Sequence, residues 1–458
     1  MIIFSRNTLI SCLLLSASSY VSANPESIVD QDGNGLIEID SLETLNWIRN
    51  DLSGEALVDF HGNRSSQGCP NSGCFGYELT ADLSFDTSGD GKIDADDAYF
   101  DYDGDGSNNG WLPIGNDTAG FEAVFNGNGH TISGLYINRD QTDIETQGNN
   151  IGLFGSFQNH TYDGRDRSAY ISNITIEIAE QGITGYSNVG TIVGNMYFDN
   201  YPFFLGITFD NIFINGDVRG NNHVGGILGA HQDDGDNNSG VKLSFIKNNF
   251  NGTIESTSNF AGGLVGNVDV WAYYGNVVVE NNLISGSVTS SGSASLGGII
   301  GNAEIREAFS TIQNNNVNIT LSANTGSAGG IAAFILGEYG GAKVNSNTVR
   351  GEISTNGSYL GGLVGDAYEA EGWFDAQGNK IYATISGGSR CTGGVAGSLL
   401  STSDFSGNMN ILENTIYGDV TGNRIANGVA GCTAAFSDFP DPIIIEDNVV
   451  IGTVTAAQ

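Results

Sequence analysis

Basic side chains are scarce in this sequence. Sixteen lysines and arginines stand against 52 aspartates and glutamates, which gives a net charge of −36. Proteins that bind nucleic acid meet its phosphates with lysine and arginine, so the composition argues against a nucleic-acid partner and favours divalent cations. Proline is also rare, with 6 residues, whereas glycine is abundant, with 67. This balance suits tight turns between short strands rather than a proline-rich disordered linker.

Long apolar runs are missing after the first 23 residues. The opening segment, residues 1–23, contains Arg6, an apolar run from Leu9 to Leu15 and the small-residue stretch Val21–Ala23. These are the features of a cleaved secretory signal peptide. No later stretch approaches the roughly 20 apolar residues of a membrane helix. The sequence therefore predicts a secreted protein without a membrane span, located outside the cell or at its surface.

Recognisable catalytic motifs are missing as well. The five histidines are scattered, and neither Gly-x-Ser-x-Gly nor His-Glu-x-x-His occurs. Nothing in the sequence therefore indicates a serine hydrolase or a zinc protease. Because other β-helical scaffolds carry polysaccharide lyases and glycoside hydrolases that use paired carboxylates, a carbohydrate-active enzyme stays an alternative, by analogy of fold alone.

A glycine-rich segment recurs nine times along the chain. Its clearest copy, Ala261–Asn267, reads Ala-Gly-Gly-Leu-Val-Gly-Asn, and the second glycine position of the copies falls at 152, 191, 226, 263, 298, 330, 362, 394 and 428. The spacing of 32 to 39 residues is that of a solenoid or an array of repeats. A phosphate-binding loop is not favoured, because no helix and no Lys-Ser/Thr follows the glycines.

An asparagine follows each glycine segment and precedes an alternating apolar run. The column comprises Asn173, Asn211, Asn248, Asn282, Asn315, Asn347, Asn379, Asn414 and Asn448. We predict an all-β fold over residues 116–458, a parallel β-helix or β-solenoid of about nine three-stranded coils stacked ~4.8 Å apart. The asparagines should form a ladder of stacked side-chain amides at a turn.

Four cysteines follow the signal segment. Cys69 and Cys74 lie five residues apart, and an exported protein is expected to join them in a disulfide. A zinc site is the alternative, although two further ligands are missing nearby. Cys391 and Cys432 differ by about seven strand positions within their repeats, or roughly 20 Å. That distance is too long for a disulfide unless a loop carries one of the cysteines towards the other.

Residues 24–115 form a predicted amino-terminal cap region with calcium-binding loops. A helix is expected from Leu42 to Leu52 with Ser41 as its N-cap. Asp86–Asp97 fits a twelve-residue EF-hand-type loop with Gly91 at the turn. Its predicted calcium ligands are Asp86, Ser88, Asp90, Lys92 through its carbonyl, Asp94 and Asp97.

Two further loops begin in the same way but are incomplete. The second contains Asp101, Asp103 and Asp105 with Gly106, and the third contains Asp30, Asp32 and Asn34 with Gly35. Carboxylates crowded together in this way repel one another without a bound cation, which favours calcium as the cofactor. The alternative is that these are acidic turns left to solvent.

The glycine-rich repeat resembles the GLUG motif of bacterial surface proteins and adhesins. The segments Asp30–Ile39, Gly76–Leu83, Gly110–Gly115 and Phe125–Ile132 are similar to the region that precedes such repeats in large exported proteins. The resemblance covers nearly the whole chain after the signal segment and implies a β-solenoid outside the cell. Members of this family share no single activity.

These observations together predict a calcium-stabilised extracellular solenoid that works in adhesion or binding. The expected partner is an extracellular glycan or another ligand at a host or cell surface. An ice-binding face is a further alternative, but it needs threonines in register on successive coils. Thr453-Val-Thr455 is not repeated in phase along the sequence.

Overall fold

The protein is a parallel β-solenoid of about eight turns, with 59% of the described residues in strands and 2% in helices. The structure, a computed structural model, describes residues 28–140, 148–158, 169–197, 205–232, 241–272, 275–402, 408–435 and 443–456. The predicted signal segment lies outside the described residues. None of the helices in the described ranges is long and apolar enough to cross a membrane.

Two nine-stranded sheets run side by side along the solenoid, and all their strands pair in parallel. Sheet 1 contains the strands Asn149–Ile151, Ser187–Gly190, Asn222–Gly225, Phe260–Gly262, Ser295–Gly297, Ala328–Gly329, Tyr359–Gly361, Cys391–Gly393 and Ile425–Asn427. Sheet 2 contains Phe154–Gln158, Val193–Tyr197, Leu228–Gln232, Val265–Trp271, Ile300–Arg306, Ala332–Glu338, Val364–Ala370, Ala396–Ser401 and Ala430–Ala435. Nine strands bound eight complete turns.

Sheet 3 is larger, with 25 strands, because most coils contribute strands on both sides of the asparagine column. Its strands are Leu36–Ile39, Gly76–Leu79, Leu83–Ser84, Val124–Asn126, Thr131–Arg139, Ala169–Gly185, Leu205–Asn215, Val218–Gly220, Val241–Ile246, Asn249–Ser256, Asn276–Glu280, Leu283–Ser290, Phe309–Gln313, Asn316–Ala323, Gly341–Asn345, Thr348–Thr355, Trp373–Gln377, Lys380–Ile381, Thr384–Gly387, Asn408–Leu412, Thr415–Ile416, Val420–Gly422, Ile443–Glu446, Val449–Val450 and Val454–Ala456.

A coil therefore has four strand columns, and the prediction of three is wrong. The chain bends at the Gly-Gly pair, so one glycine-rich segment supplies a strand to sheet 1 and another to sheet 2, such as Phe260–Gly262 and Val265–Trp271. The bend requires glycine, because a Cβ at Gly298 would lie 2.0 Å from the carbonyl oxygen of Gly330. A Cβ at Gly362 would likewise lie 2.1 Å from the carbonyl oxygen of Gly394.

From Asn248 onward the asparagine column forms the predicted ladder, but the prediction is wrong for Asn173 and Asn211. Ile174 and Ile212 occupy the ladder position of their coils, and the Ile212 N–H donates to Asn248 Oδ1 at 3.0 Å. From Asn248 to Asn448, the main-chain N–H of each asparagine donates to Oδ1 of the next, at 2.8 to 3.0 Å. The Nδ2 group of Asn347, as one example, also donates to the carbonyl of Ile312 in the preceding coil at 2.8 Å. Ladder asparagines are buried, and their hydrogen bonds satisfy polar groups at the corner between the two strands of sheet 3.

The amino-terminal region continues sheet 3 past position 115 without a break. Strand Leu36–Ile39 pairs with Gly76–Leu79, which in turn pairs with Val124–Asn126. The helix Leu42–Trp47 and a short 3-10 helix, Ile48–Asn50, follow the first strand, and the predicted N-cap is confirmed because Ser41 Oγ accepts from the Thr44 N–H at 3.2 Å. Strands Leu57–Val58 and Arg64–Ser65 form a small antiparallel pair.

Two disulfides link the described cysteines. Cys69 and Cys74 are bonded, with their Cα atoms 5.2 Å apart, so neither offers a thiolate to zinc. Cys391 and Cys432 are bonded too, with Cα atoms 5.6 Å apart, so the pairing that their spacing left open does form. The bend at the glycines folds sheet 2 onto sheet 1 of the preceding coil: a Cβ at Gly431 would lie 2.7 Å from the Thr392 nitrogen.

Candidate functional site

Three Asp/Gly loops share one local hydrogen-bonding pattern. The first aspartate of each loop accepts a hydrogen bond from the main-chain N–H five residues later, at 2.8 to 2.9 Å. These pairs are Asp30 with Gly35, Asp86 with Gly91 and Asp101 with Gly106. The three glycines have φ values of 83° to 88°, which explains why glycine stands at the sixth position. This is the turn that EF-hand-type loops use to converge side chains on a cation.

The second loop brings its carboxylates closest together. Oxygen atoms of Asp101, Asp103 and Asp105 all lie within 4.8 Å of one another. Oδ1 of Asp101 is buried and has no hydrogen-bond partner among the described residues. Hydrogen bonds from the side chain and the main chain of Ser107 hold the pKa of Asp105 below its usual range. The loop that looked incomplete in sequence therefore offers the most compact set of oxygen ligands.

The acidic side chains of the first loop lie farther apart than its match to an EF-hand-type loop suggests. Asp97, at the twelfth position, accepts from the Ser88 N–H at 2.9 Å and the Asp94 N–H at 3.0 Å, and it is 6% exposed. It thus joins the two ends of the loop. Desolvation would raise the pKa of Asp97, but these hydrogen bonds outweigh it and the pKa is lowered. The acidic residues of this loop do not meet within 4.8 Å in the described chain, unlike those of the second loop.

Two carboxylates outside the predicted set lie beside the loops. Glu78 accepts from Asn34 Nδ2 of the third loop at 3.0 Å, and burial raises its pKa. Glu180 lines a cavity of about 530 Å³ together with Asp86, Lys92 and Asp94 of the first loop. Neither is recognisable in the sequence, because they lie 44 and more than 80 residues from the loops that they approach.

A buried arginine stands near the second loop. Arg139 is 1% exposed, and its guanidinium donates to the carbonyls of Trp111 and Gly110 at 3.4 and 3.3 Å. Burial lowers the pKa of Arg139, while the negative charges of Asp103 and Asp105 raise it. The carboxylates of the second loop therefore have some compensating positive charge nearby. This charge should weaken cation binding, but it does not neutralise all three carboxylates.

A second cluster of charge lies on sheet 2. Arg306 forms ion pairs with Asp269 at 2.6 Å, with Glu338 at 3.3 Å and with Glu304. Its guanidinium also lies 5.7 Å from the ring centre of Trp271, which is 46% exposed. Asp269, Glu304 and Glu338 come from three successive coils that the parallel register stacks. No sequence motif marks this cluster.

Comparison with known proteins supports a surface-type protein only weakly. No family model matches the chain, and no solved structure matches it either. Halomucin of Haloquadratum walsbyi is 31% identical over 176 residues, which are 34% of this chain and 2% of that protein. A protein named as a Gly-rich membrane protein, of Evansella cellulosilytica, is 33% identical over 156 residues, 29% of this chain and 16% of the relative. The chain thus spans a small part of each relative.

Proposed function

We propose that this protein is a secreted, calcium-stabilised β-solenoid that works as an extracellular or cell-surface adhesion or binding protein. The observation that carries the calcium part is the second loop, where three carboxylates converge and one buried oxygen lacks a partner. The two disulfides support an oxidising compartment. The similarity to Halomucin and to the Gly-rich protein supports a surface location, as does the resemblance to GLUG-repeat proteins.

Asp101, Asp103 and Asp105 fit calcium better than a softer metal. Calcium prefers several carboxylate and carbonyl oxygens, and this loop offers oxygen alone. The predicted ligands of the first loop, Asp86, Ser88, Asp90 and Asp94 with the carbonyl of Lys92, would have to close further around a cation. In the third loop, Asp30, Asp32 and Asn34 would gain Glu78 as an additional acid. We infer that the second loop binds most tightly and that the role of calcium is to hold the amino-terminal region against the first coils.

Calorimetry on chelator-stripped protein tests the calcium proposal. We expect calcium to raise the melting temperature, because binding at 100 times Kd stabilises a protein by about 2.7 kcal/mol. Asp103→Asn, which removes one charge with little change of shape, should remove most of the tight calcium uptake. Asp447→Asn, an exposed aspartate in the last coil, is the matched control and should leave uptake unchanged. No heat of binding and an unchanged melting temperature in the parent protein would refute the proposal.

A carbohydrate-active enzyme is the second candidate, and the Arg306 cluster is the observation that favours it. Three carboxylates surround one basic group beside an exposed tryptophan, a combination that lyases and hydrolases use. The ion pairs also engage Arg306 fully, however, and such a cluster can simply stabilise stacked coils. Incubation with a polysaccharide panel followed by product analysis separates the two functions. Released oligosaccharides that disappear in Glu304→Gln would establish the enzyme, whereas retention without products supports a binding protein.

A further inference from the structure

The second strand column of sheet 3 presents two rows of hydroxyl groups to solvent. Outward residues lie one, three, five and seven positions after each ladder asparagine, and the hydroxyl rows are those five and seven positions later. We call them the hydroxyl face: Thr253, Glu255, Ser287, Thr289, Thr320, Ser322, Glu352, Ser354, Thr384, Ser386, Asp419, Thr421, Thr453 and Thr455. Eleven of these 14 residues are serine or threonine. The parallel register stacks members of each row directly, for example Ser322, Ser354 and Ser386.

The regularity of this face comes from the buried residues between the rows. Each pair flanks one apolar residue that points into the core, such as Leu321, Ile353 and Ile385, all 0% exposed. Side chains on either side of a core residue must point outward, so the rows are fixed in position. The pair Thr453-Val-Thr455 is not repeated as threonines on the preceding coils, but rows in phase emerge once serine is counted together with threonine.

Several of these hydroxyls have no partner in the protein. The side chains of Thr320, Ser322, Thr384, Ser386 and Thr421 are exposed and form no hydrogen bond within the described part of the chain. Their donors and acceptors are available at a repeat of ~4.8 Å along the solenoid, the spacing of neighbouring strands. The outward rows on the first strand column of the same sheet are mixed instead, with Lys242, Asn276, Phe309, Gly341 and Trp373 in register.

Hydroxyl groups outnumber charged groups on this face. Its only charged members are Glu255, Glu352 and Asp419, in a chain with a net charge of −36. Stacked tyrosines Tyr382 and Tyr417, with ring centres 4.4 Å apart, border the rows, and Arg350 lies over Tyr382 at 4.9 Å. The hydroxyl rows and the neighbouring phenol groups offer donors and acceptors to an uncharged, regularly hydroxylated polymer, and the acidic members disfavour an anionic one.

We propose that the hydroxyl face binds an extended neutral polysaccharide that lies along the solenoid axis. The chemical class is a β-1,4-linked glycan, because one sugar ring of such a chain advances by a distance close to the ~4.8 Å coil spacing. Each ring then meets one coil and hydrogen-bonds to its hydroxyl pair. The three acidic members and Arg350 argue against ice as the occupant, because charged side chains hold their own water. This inference rests on the proposed binding function and assigns it a surface and a ligand class.

Affinity electrophoresis through gels cast with hydroxyethyl cellulose or galactomannan tests the assignment. We expect the parent protein to be retarded. Thr320→Val/Thr384→Val should lose affinity roughly thirtyfold, since two hydrogen bonds of about 1 kcal/mol each are removed without loss of β-branched shape. The control Thr208→Val/Thr311→Val alters the same residue type on the first strand column and should keep full affinity. Polygalacturonate, an anionic glycan, should retard the parent protein less.

Five results overturn the assignment, and they are distinguishable. Equal retardation of the hydroxyl-face variant and the parent protein refutes this surface while leaving a binding function elsewhere intact. If the parent protein inhibits ice recrystallisation and the variant does not, the occupant of the face is ice. If the sedimentation coefficient of the variant differs from that of the parent protein, the face is a contact between copies of the chain. If no neutral glycan retards the parent protein, the ligand class is wrong, and if no extracellular polymer or cell surface binds it, the proposed function fails as well.

Discussion

Asn347 shows what a single residue contributes to the stack. It is 0% exposed, and its Oδ1 accepts from both the N–H and the Nδ2 of Asn315, at 3.0 Å each. Its own Nδ2 donates to Ile312 and to Asn379. Asn347→Ala leaves these buried groups unpaired, and we expect it to lower the free energy of unfolding by about 3 kcal/mol. Chemical denaturation measures the change. The control Asn318→Ala removes an exposed asparagine from strand Asn316–Ala323. It should lower the free energy of unfolding by less than about 0.5 kcal/mol.

His231 should make stability depend on pH. Burial lowers its pKa from 6.5 to about 4, although a hydrogen bond to the Met196 carbonyl opposes the shift. Between pH 4 and pH 6.5 the unfolded chain therefore binds a proton more readily than the folded protein does. The stability that His231 contributes to the folded state is complete above pH 6.5 and is lost as the pH falls towards 4. The total loss is about 3 kcal/mol. His231→Gln should flatten this part of the unfolding free energy profile relative to the parent protein. A slope that His231→Gln preserves, or that the exposed His61→Gln removes, would contradict the assignment.

At the scale of the elements, the disulfide Cys391–Cys432 ties the last coil to the one before it. It closes a separation of 41 residues, against 5 for Cys69–Cys74. Loop-closure entropy then gives about 4 kcal/mol for the longer loop and about 2 kcal/mol for the shorter one. We expect Cys391→Ser/Cys432→Ser to increase amide exchange mainly within residues 408–456, because coils contact their neighbours only. Exchange that rises evenly along the solenoid would show that the bridge does not act locally.

The elements also show what could be predicted from sequence. The glycine spacing predicts parallel stacking, and the asparagine column predicts its ladder, because both recur once per coil. The sequence does not reveal the fourth strand column, because adjacent glycines interrupt the apolar alternation. It does not reveal the Cys391–Cys432 pair either, because a linear count of strand positions ignores the bend at the glycines. The hydroxyl rows could have been found by counting from the asparagine, since repeat length varies before it. Glu78, Glu180 and the Arg306 cluster depend on contacts between coils that no local pattern encodes.

At the scale of the whole molecule, the two ends of the solenoid differ. The amino-terminal end carries the helix Leu42–Trp47 and the Asp/Gly loops, while the last coil exposes apolar residues, including Val449 at 51% and Ile451 at 60%. Strands Ile443–Glu446 and Val449–Val450 pair on one side with strands Asn408–Leu412 and Thr415–Ile416. Within the described ranges these strands have no partner on their other side, and an unpaired edge beside exposed apolar side chains promotes association. The segment 436–442, which has two phenylalanines and two prolines and was expected from sequence to cap this end, lies outside the described residues.

This end should govern self-association. We expect Val449→Lys/Ile451→Lys to lower the concentration-dependent association measured by sedimentation velocity, because lysine at a strand edge disfavours further pairing while both positions are already exposed. The melting temperature should change by no more than a few degrees, the shift that about 1 kcal/mol produces in a domain of this size. Thr320→Lys/Ser322→Lys adds the same charge at exposed positions in the middle of the solenoid, so an equal decrease there would assign the effect to net charge alone. Deletion of residues 436–442 should act in the opposite direction and raise association, because the sequence predicts that this segment caps the last coil.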